Sequence, residues 1–180
     1  MILQPTFSVA TLLVRDRDSL AKARMSEIIL LKKISKILQD DLPRPAKAKA
    51  IAEVICAEGS FRWTGLYDVD MDVGVVSNIA WSGAAPPEYP TFPVMKGLTS
   101  RAIAARSTVN VGNVAGDADY LTALPTTCSE IIIPVLAPDG RVIGTLDVES
   151  EIPNAFNAGA QRWLEECARL LTRLWPDRAN

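Results

Sequence analysis

The chain has 180 residues, 48% of them apolar and 22% charged, which is enough to bury one hydrophobic core in a single domain. Its 19 basic and 21 acidic side chains nearly cancel, and no basic stripe of the kind that binds nucleic acid is visible. The absence of histidine excludes His-based general bases, Ser-His-Asp and Cys-His pairs, and the commonest ligand of zinc and haem. We therefore expect no metal and no other cofactor.

The three cysteines indicate a chain that is kept reduced in the cytoplasm. Cys56, Cys128 and Cys167 lie far apart, and their spacing fits neither a metal knuckle nor a Cys-x-x-Cys redox pair. Residues 1–14 are apolar but lack a basic leading segment and a small-residue cleavage site, so we predict no signal peptide. No apolar run reaches the roughly 18 residues of a membrane span, and we expect no membrane partner.

Helical periodicity marks the first third of the chain. Between residues 18 and 38 the apolar positions recur in steps of three and four, which predicts an amphipathic helix. Pro43 follows closely, and the residue before a proline avoids the helical conformation. A second helix is predicted at 45–57, and Gly59 ends it.

The period changes to two after the second helix. Residues 61–69 place Trp63 and Tyr67 on one face of a predicted strand, and residues 73–81 form its antiparallel partner across a turn. A loop follows at 82–90, then a short strand at 91–94 and a short helix at 98–105. Another short strand at 108–111 leads into a polar loop at 112–127.

The clearest hairpin joins residues 129–137 to residues 141–149 across a Pro-Asp-Gly turn. Pro134 removes a ladder donor from the first arm, so that strand should carry a bulge or an unpaired side there. The last element, at 155–174, repeats apolar residues at helical spacing. This order predicts an α+β fold, a central antiparallel sheet of about six strands with the N- and C-terminal helices packed on one face.

The last hairpin and the helix after it resemble the GAF domain, a sensor module that binds small molecules. The family's C-terminal signature is an apolar strand, a Gly-containing turn, a Gly-x-Leu strand and a Phe before an amphipathic helix; here Gly144, Leu146 and Phe156 occupy those positions. The resemblance runs from about residue 25 to residue 174, and it implies ligand-pocket loops on the sheet face away from the helices. We accordingly predict an N-terminal extension, a single GAF-like domain and a tail, at 1–17, 18–176 and 177–180.

Within that family the chain is most similar to the free methionine-R-sulfoxide reductases and their nitrate-sensing relatives. The shared residues lie on the first strand and the last hairpin: Trp63, Gly65, Tyr67, Ser129, Glu130, Leu146, Asp147, Glu149 and Ser150. The reductases rely on cysteines at positions that align with Tyr89, Thr99 and Ala123, none of which is a thiol. Reduction of a sulfoxide needs one thiolate to attack the sulfur and a second thiol to resolve the adduct, so the resemblance implies that the reductase chemistry is lost.

Three carboxylates, Glu130, Asp147 and Glu149, cluster on the two arms of the last hairpin. Asp147 and Glu149 are two residues apart and therefore share one face of the sheet. If that face is buried, the carboxylates need a cation, a ligand ammonium group or hydrogen-bond donors. The resemblance implies that they hold a ligand's amino group. The alternative is a solvated edge that carries ordinary surface acids.

Aromatic residues on the first two predicted strands are candidate pocket walls. Trp63 and Tyr67, and less strongly Trp81, combine an aromatic face with a polar tip, which suits a small polar ligand. The alternative is that these side chains only fill the core of a half-buried sheet.

The polar loop and the thiol that follows it supply the remaining candidates. Asp117, Asp119 and Tyr120 lie in a loop that would close over a ligand, unless they form an ordinary Asp-rich turn. Cys128 would lie at the pocket rim. Since no His or Lys is next to it in the sequence, we favour a small buried residue over a reactive thiol there.

Three functions are left open by these residues. Tetrapyrrole and haem binding are excluded by the absence of histidine, and the Asn-Lys-x-Phe-Asp pattern of cyclic-nucleotide-binding members is not found. By elimination, the ligand is amino-acid-like or a small anion. The favoured function is a sensory, regulatory domain that acts through a signalling partner or a dimer. The alternatives are a reductase-like enzyme that uses Cys128 with an external thiol, and a purely structural dimerisation module.

A homodimer is predicted because the terminal helices carry more apolar surface than one sheet face needs. The residues concerned are Met25, Ile28, Ile29, Leu31, Ile34, Ile37, Leu38, Trp163, Leu164, Leu170, Leu171, Leu174 and Trp175. Pairing two copies about a two-fold axis would bury this surface. The alternative is that residues 1–14 fold back over it and leave a monomer.

Overall fold

A computed structural model describes residues 9–121 and 124–175 of the chain, with side chains from residue 24 onward. The elements are α1 (Val9–Gln39), α2 (Arg44–Gly59), β1 (Trp63–Asp70), β2 (Val75–Gly83), β3 (Thr91–Pro93), α3 (Gly97–Ala105), β4 (Val109–Val111), β5 (Ser129–Leu136), β6 (Val142–Ser150) and α4 (Ala158–Leu171). Short 3-10 turns follow β4 and α4, at Val114–Gly116 and Thr172–Leu174. Among the described residues, no helix combines the length and the apolar character that crossing a bilayer requires.

The six strands form one antiparallel sheet in the order β3-β2-β1-β6-β5-β4. This confirms the α+β fold predicted from the sequence. The largest difference from the predicted elements is the start of α1, which begins at Val9 instead of residue 18. The apolar stripe begins only at residue 25, but the residues before it include Ala, Leu and Arg, which have a high intrinsic helix propensity.

The main core lies between the sheet and the helices α1, α2 and α4. Alternate residues of the two central strands, Leu66 on β1 and Leu146 on β6, point into it and are fully buried. The helices contribute fully buried side chains to the same core, namely Ile34, Ile51, Ile55, Leu164 and Leu171. These helices cover only one face of the sheet, yet every residue of β6 is buried. The opposite face of β6 is therefore covered too.

Trp175, the last described residue, is fixed to the centre of the sheet. The indole Nε1 of Trp175 donates to Asp68 Oδ1 at 2.6 Å, and the Arg44 guanidinium lies 4.9 Å from the indole ring. Gly144 makes room for this ring, because a Cβ there would lie 2.3 Å from it. The prediction that Trp175 adds to an exposed apolar surface is therefore wrong; only 3% of the residue is exposed.

The apolar surface expected on the terminal helices is confined to α1. On α4 and the turn after it, Leu164, Leu171 and Leu174 are buried in the chain's own core and Trp163 and Leu170 are partly buried against it, which corrects the prediction for that helix. On α1, Met25, Ile28 and Ile29 remain 57%, 42% and 47% exposed, while Leu30, Ile34 and Leu38 face the core. Of residues 1–14, which the alternative would fold over this surface, residues 9–14 belong to α1 and residues 1–8 lie outside the described residues.

Both expectations for Pro134 are confirmed. β4 pairs with β5 only as far as Ile132, so the edge of β5 at Pro134 has no strand beside it. On the other side Pro134 is paired with Thr145, and the register shifts at Val135 and Leu136. A proline is tolerated there because its missing donor is not needed by a neighbouring strand.

Candidate functional site

The sheet face away from the three long helices carries a buried acidic cluster, which we define as Glu130, Asp147 and Glu149. Glu130 on β5 and Glu149 on β6 are direct register partners, and Asp147 lies two residues along β6 on the same face. The exposed fractions are 8%, 5% and 0% for Glu130, Asp147 and Glu149. These acids are therefore buried, and the alternative of a solvated edge is wrong.

Few hydrogen bonds compensate the acidic cluster. The hydroxyl of Thr127 donates to Glu149 Oε2, and that of Thr99 donates to Asp147 Oδ2 over 3.4 Å. The second carboxyl oxygen of each of these two acids, Asp147 Oδ1 and Glu149 Oε1, has no hydrogen-bond partner within the described ranges. No Lys or Arg side chain from residue 24 onward, residues 122–123 and 176–180 aside, forms an ion pair with the cluster. Buried carboxylates in this state are destabilising until a cation or a proton neutralises them.

Burial shifts the protonation of the whole cluster. Loss of hydration raises the pKa of Asp147 and of Glu149, each to about 7. The pKa of Glu130 is raised well above its ordinary range by burial and by the negative charges of Glu149 and Asp147. The pKa of the Tyr67 hydroxyl is also raised, chiefly by burial and then by the three carboxylates. The site is thus an apolar enclosure that disfavours negative charge and attracts positive charge.

Trp63 and Tyr67, the two candidate wall residues of β1, pack against each other. The rings of Trp63 and Tyr67 approach each other with centroids 6.2 Å apart, and Trp63 Nε1 donates to the Ala85 carbonyl at 3.1 Å. Gly65 permits this approach, since a Cβ there would lie 2.1 Å from the Trp63 ring and 2.9 Å from the Tyr67 ring. Trp81 is half-buried, with the Lys49 Nζ 5.0 Å from the centroid of its ring. It does not line the cavity that Tyr67, Glu130 and Asp147 help to form.

A small cavity of about 30 Å³ lies above the acidic cluster. Its walls are Tyr67, Pro87, Tyr89, Phe92, Gly97, Leu98, Thr99, Leu121, Glu130 and Asp147. That volume suits a single water molecule, whereas pockets for drug-sized ligands have several hundred cubic ångströms. Leu121 closes the cavity against Gly97, which has a positive φ of 73° and no side chain to keep Leu121 away. Entry of a larger ligand requires the loop that carries Leu121, or the loop at residues 84–90, to move outward.

Five of the predicted site residues do not line this cavity, namely Trp63, Asp117, Tyr120, Cys128 and Glu149. Asp117 is ion-paired with Arg101 at 2.7 Å and accepts a hydrogen bond from the Asp119 backbone, the Asp-rich turn that was the alternative for this loop. Tyr120 packs half-buried beside the core under α3. Cys128 is half-buried, with its Sγ 3.8 Å from the Thr126 carbonyl. Glu149 and Trp63 are adjacent to the lining residues but lie behind them.

Sequence reasoning missed several residues of the site. Thr99 and Tyr89 line the cavity although they were singled out only as positions without the reductase thiols, and that alignment was the available indication of their place. Thr127 and Leu121 come from the polar loop, where no sequence pattern distinguishes them from their neighbours. Ala123, the third aligned position, lies outside the described residues.

The thiols are separate from one another in the fold. Cys56 on α2 is half-buried and donates to the Phe61 carbonyl at 3.3 Å. Cys167 on α4 is buried in the main core, which raises the pKa of its thiol to about 12. All three cysteines are free. In the part of the chain that is described, no group of three His, Cys, Asp or Glu side chains is arranged to hold a metal ion.

Comparison with known proteins agrees with this architecture. A family model described as "GAF domain" matches residues 48–174, from α2 to the end of the last helical turn. The free methionine-R-sulfoxide reductase from Neisseria meningitidis, solved in complex with its substrate, is 28% identical with a TM-score of 0.76 over 88% of this chain and 92% of that chain. The type II enzyme from Thermoplasma acidophilum is 25% identical with a TM-score of 0.69, over 75% of this chain and 94% of that chain.

A curated relative, protein YtsP of Bacillus subtilis, is 23% identical over 146 residues, which are 81% of this chain and 88% of that protein. The strand order, the helix layer and the family match over most of the chain agree with one another. This chain belongs to the GAF domain family.

Proposed function

We propose that this protein is a small-molecule-binding, regulatory GAF domain whose ligand carries a protonated amino group. The observation that carries the proposal is the acidic cluster, where Asp147 Oδ1 and Glu149 Oε1 are buried without partners. An ammonium group has three donors and a positive charge, so it can donate to both oxygens and stabilise them as carboxylates.

The same chemistry distinguishes between the two ligand classes expected from the sequence. A small anion would enter a site that already holds three carboxyl groups and no paired cation among the described residues, so the cluster disfavours it. An amino-acid-like ligand is favoured. The similar enzyme from Neisseria meningitidis, whose substrate is a free amino acid derivative, supports this choice by resemblance.

A ligand screen tests the proposal. We expect one or more of the 20 free amino acids, or methionine sulfoxide, to raise the midpoint of thermal unfolding at pH 8, because a ligand that binds only the folded state stabilises it by mass action. The matched controls are the N-acetyl derivatives, which keep the side chain but lose the positive charge. Equal shifts with the acetylated compounds, or none with any free amino acid, would contradict the proposal.

A reductase that uses Cys128 is the second candidate function. It is favoured by the likeness to two free methionine-R-sulfoxide reductases and by the position of Cys128 directly after Thr127, whose hydroxyl binds Glu149. Against it, Cys128 does not line the cavity, and Tyr89 and Thr99 stand where the resemblance places thiols.

We therefore expect negligible reduction of free methionine-R-sulfoxide with a reductant that recycles only protein disulfides, since no second thiol lies beside Cys128 to form one. The measurement is the rate of methionine formation by the wild type and by Cys128→Ser. Turnover by the wild type that disappears in the variant would make the enzyme the correct function.

The output of the domain is proposed to pass through a homodimer formed by α1. Met25, Ile28 and Ile29 form an exposed apolar strip beside a groove of about 310 Å³ whose walls include Phe61 and Trp163. A second copy offers the same strip, and a shift of one α1 against its mate would transmit ligand binding.

Light scattering tests this assembly. We expect twice the chain mass at micromolar concentration for the wild type, and the chain mass for Ile28→Asp, because a charge in the strip opposes its burial. Val73→Asp, at an apolar position 72% exposed elsewhere on the surface, is the matched control and should remain dimeric. A wild type that keeps the chain mass as its concentration rises would rule out the dimer.

A further inference from the structure

The acidic cluster places three carboxyl groups closer together than charges of one sign tolerate. Glu130 and Glu149 are cross-strand partners, whose Cβ atoms in such a pair lie about 5 Å apart. Asp147 is the next residue of β6 on the same face, about 7–8 Å from Glu130 along the diagonal. All three are at least nine-tenths buried, so water does not screen them from one another.

Nothing around the cluster supplies a compensating charge. The polar groups next to it are Tyr67 from β1, Thr145 from β6, Tyr89 from the loop at 84–90, Thr99 from α3 and Thr127 from the end of the polar loop, and the charge of Asp117 acts on Glu130 from that loop. Asp117 is itself acidic, and the nearby Arg101 is already committed to it. Opposite Asp147 on β1 is Gly65, which has no side chain to offer. The described surroundings are therefore neutral or negative.

Carboxyl groups in this position accept protons instead of remaining ionised. Two carboxylates that share a site cannot both be charged, and burial favours the neutral form of each. The pKa values of Asp147 and Glu149 are both raised, to about 7, which also favours the neutral form. The unpartnered oxygens, Asp147 Oδ1 and Glu149 Oε1, are the positions for these protons, and Asp147 lines the cavity.

We infer that ligand binding in this domain is an exchange of a cation for a proton. At neutral pH the ligand-free cluster holds protons, and an entering ammonium group replaces one of them, which leaves to solvent while the N–H donors take over the carboxylate oxygens. The net charge of the site is unchanged by the exchange. The inference rests on the proposed function, and it adds that the domain responds to ligand and pH together.

The exchange fixes the direction of the pH dependence. Below the pKa of the displaced carboxyl group, each pH unit upward should strengthen ammonium binding about tenfold, since one proton fewer competes. Above that pKa the affinity should level off. A ligand therefore binds weakly in acid and tightly at neutral or slightly alkaline pH.

The first experiment measures the protons directly in the ligand-free full chain. With ¹³C in the side-chain carboxyl groups, NMR follows the titration of each carboxyl, and Glu130→Gln, Asp147→Asn and Glu149→Gln assign the three signals. We expect at least two of the three to titrate above pH 6. Fewer than two above pH 6 would overturn the inference.

The second experiment measures displacement with ethylammonium chloride, a probe that stays protonated over this range. We expect it to lower the titration midpoints of the raised carboxyls by about one pH unit, with about one proton released per cation bound in unbuffered solution. Potassium chloride at equal concentration controls for ionic strength. Glu166→Gln, a substitution at an exposed acid of α4, is the matched control and should release protons as the wild type does.

The two proposals fail in different ways. Raised carboxyl titrations that ethylammonium leaves unchanged would overturn the exchange, whereas the free amino acid screen decides the ligand class independently. Amino acids that bind without releasing a proton would retain the proposed function and overturn the exchange. Proton release is also compared between the wild type and a variant that lacks one carboxyl group of the cluster, and we expect the variant to release less. Asp147→Asn is the first choice for this comparison, and Glu149→Gln replaces it should Asp147→Asn fail to fold.

Discussion

The ligand-free domain is expected to become less stable as the pH rises from 4 to 8. The pKa of Asp147 is about 7 in the folded chain and about 4 when unfolded, so the folded state binds this proton more tightly. Its stabilising contribution is complete below pH 4 and is lost as the pH rises through 7. Three pKa units correspond to roughly 4 kcal/mol in the free energy of unfolding.

Denaturant unfolding of the wild type and Asp147→Asn at pH 4, 6 and 8 measures this effect. The amide cannot ionise, so the decline should be shallower in the variant, which should be the more stable protein at pH 8. Glu166→Gln, at an exposed position, should run parallel to the wild type. Equal slopes for Asp147→Asn and the wild type would show that Asp147 is not a buried acid with a raised pKa.

Asp147→Asn is also expected to lower the affinity for an amino-acid ligand by at least about 30-fold at pH 8. Removing one partner of a buried, hydrogen-bonded charge pair costs about 2–5 kcal/mol in binding. Isothermal titration of the wild type and the variant with the strongest free amino acid from the screen measures the loss. The variant should therefore gain stability while it loses its ligand, the usual consequence of removing a destabilised functional group.

Asp117→Asn is the matched control for binding, because Asp117 is ion-paired with Arg101 and does not line the cavity. Its affinity should stay within about threefold of the wild type. An Asp117→Asn loss as large as that of Asp147→Asn would place the ligand under the polar loop and contradict the site described above.

Parts of this fold were predictable because local chemistry determines them. The hairpin of β5 and β6 follows from its Pro-Asp-Gly turn, and the shared face of Asp147 and Glu149 follows from the two-residue period of a strand. Whether that face is buried does not follow from the period. It depends on α3 and the polar loop, which lie over the sheet and whose packing is set by distant contacts.

The residues that the sequence did not reveal depend on such distant contacts. Thr99 reaches Asp147 from a helix 48 residues earlier in the chain. Trp175 is buried because Gly144 leaves room for its ring and Asp68, 107 residues away, accepts its N–H group. No periodicity contains that information, so the indole was predicted to be exposed. The start of α1 was missed because helix propensity without a stripe gives no periodic pattern.

The contact between the ligand's ammonium group and the Asp147 carboxylate is tested most directly by removing these two charges separately and together. The affinity at pH 8 is measured for the wild type and Asp147→Asn, each with the strongest amino acid from the screen and with its deaminated carboxylic acid analogue. We predict that either change alone weakens binding at least about 30-fold and that the second change then adds less than about threefold, because both remove the same contact. Losses that simply multiply would show that the ligand's ammonium group and Asp147 do not meet, and would contradict the proposal that the acidic cluster binds this ammonium group.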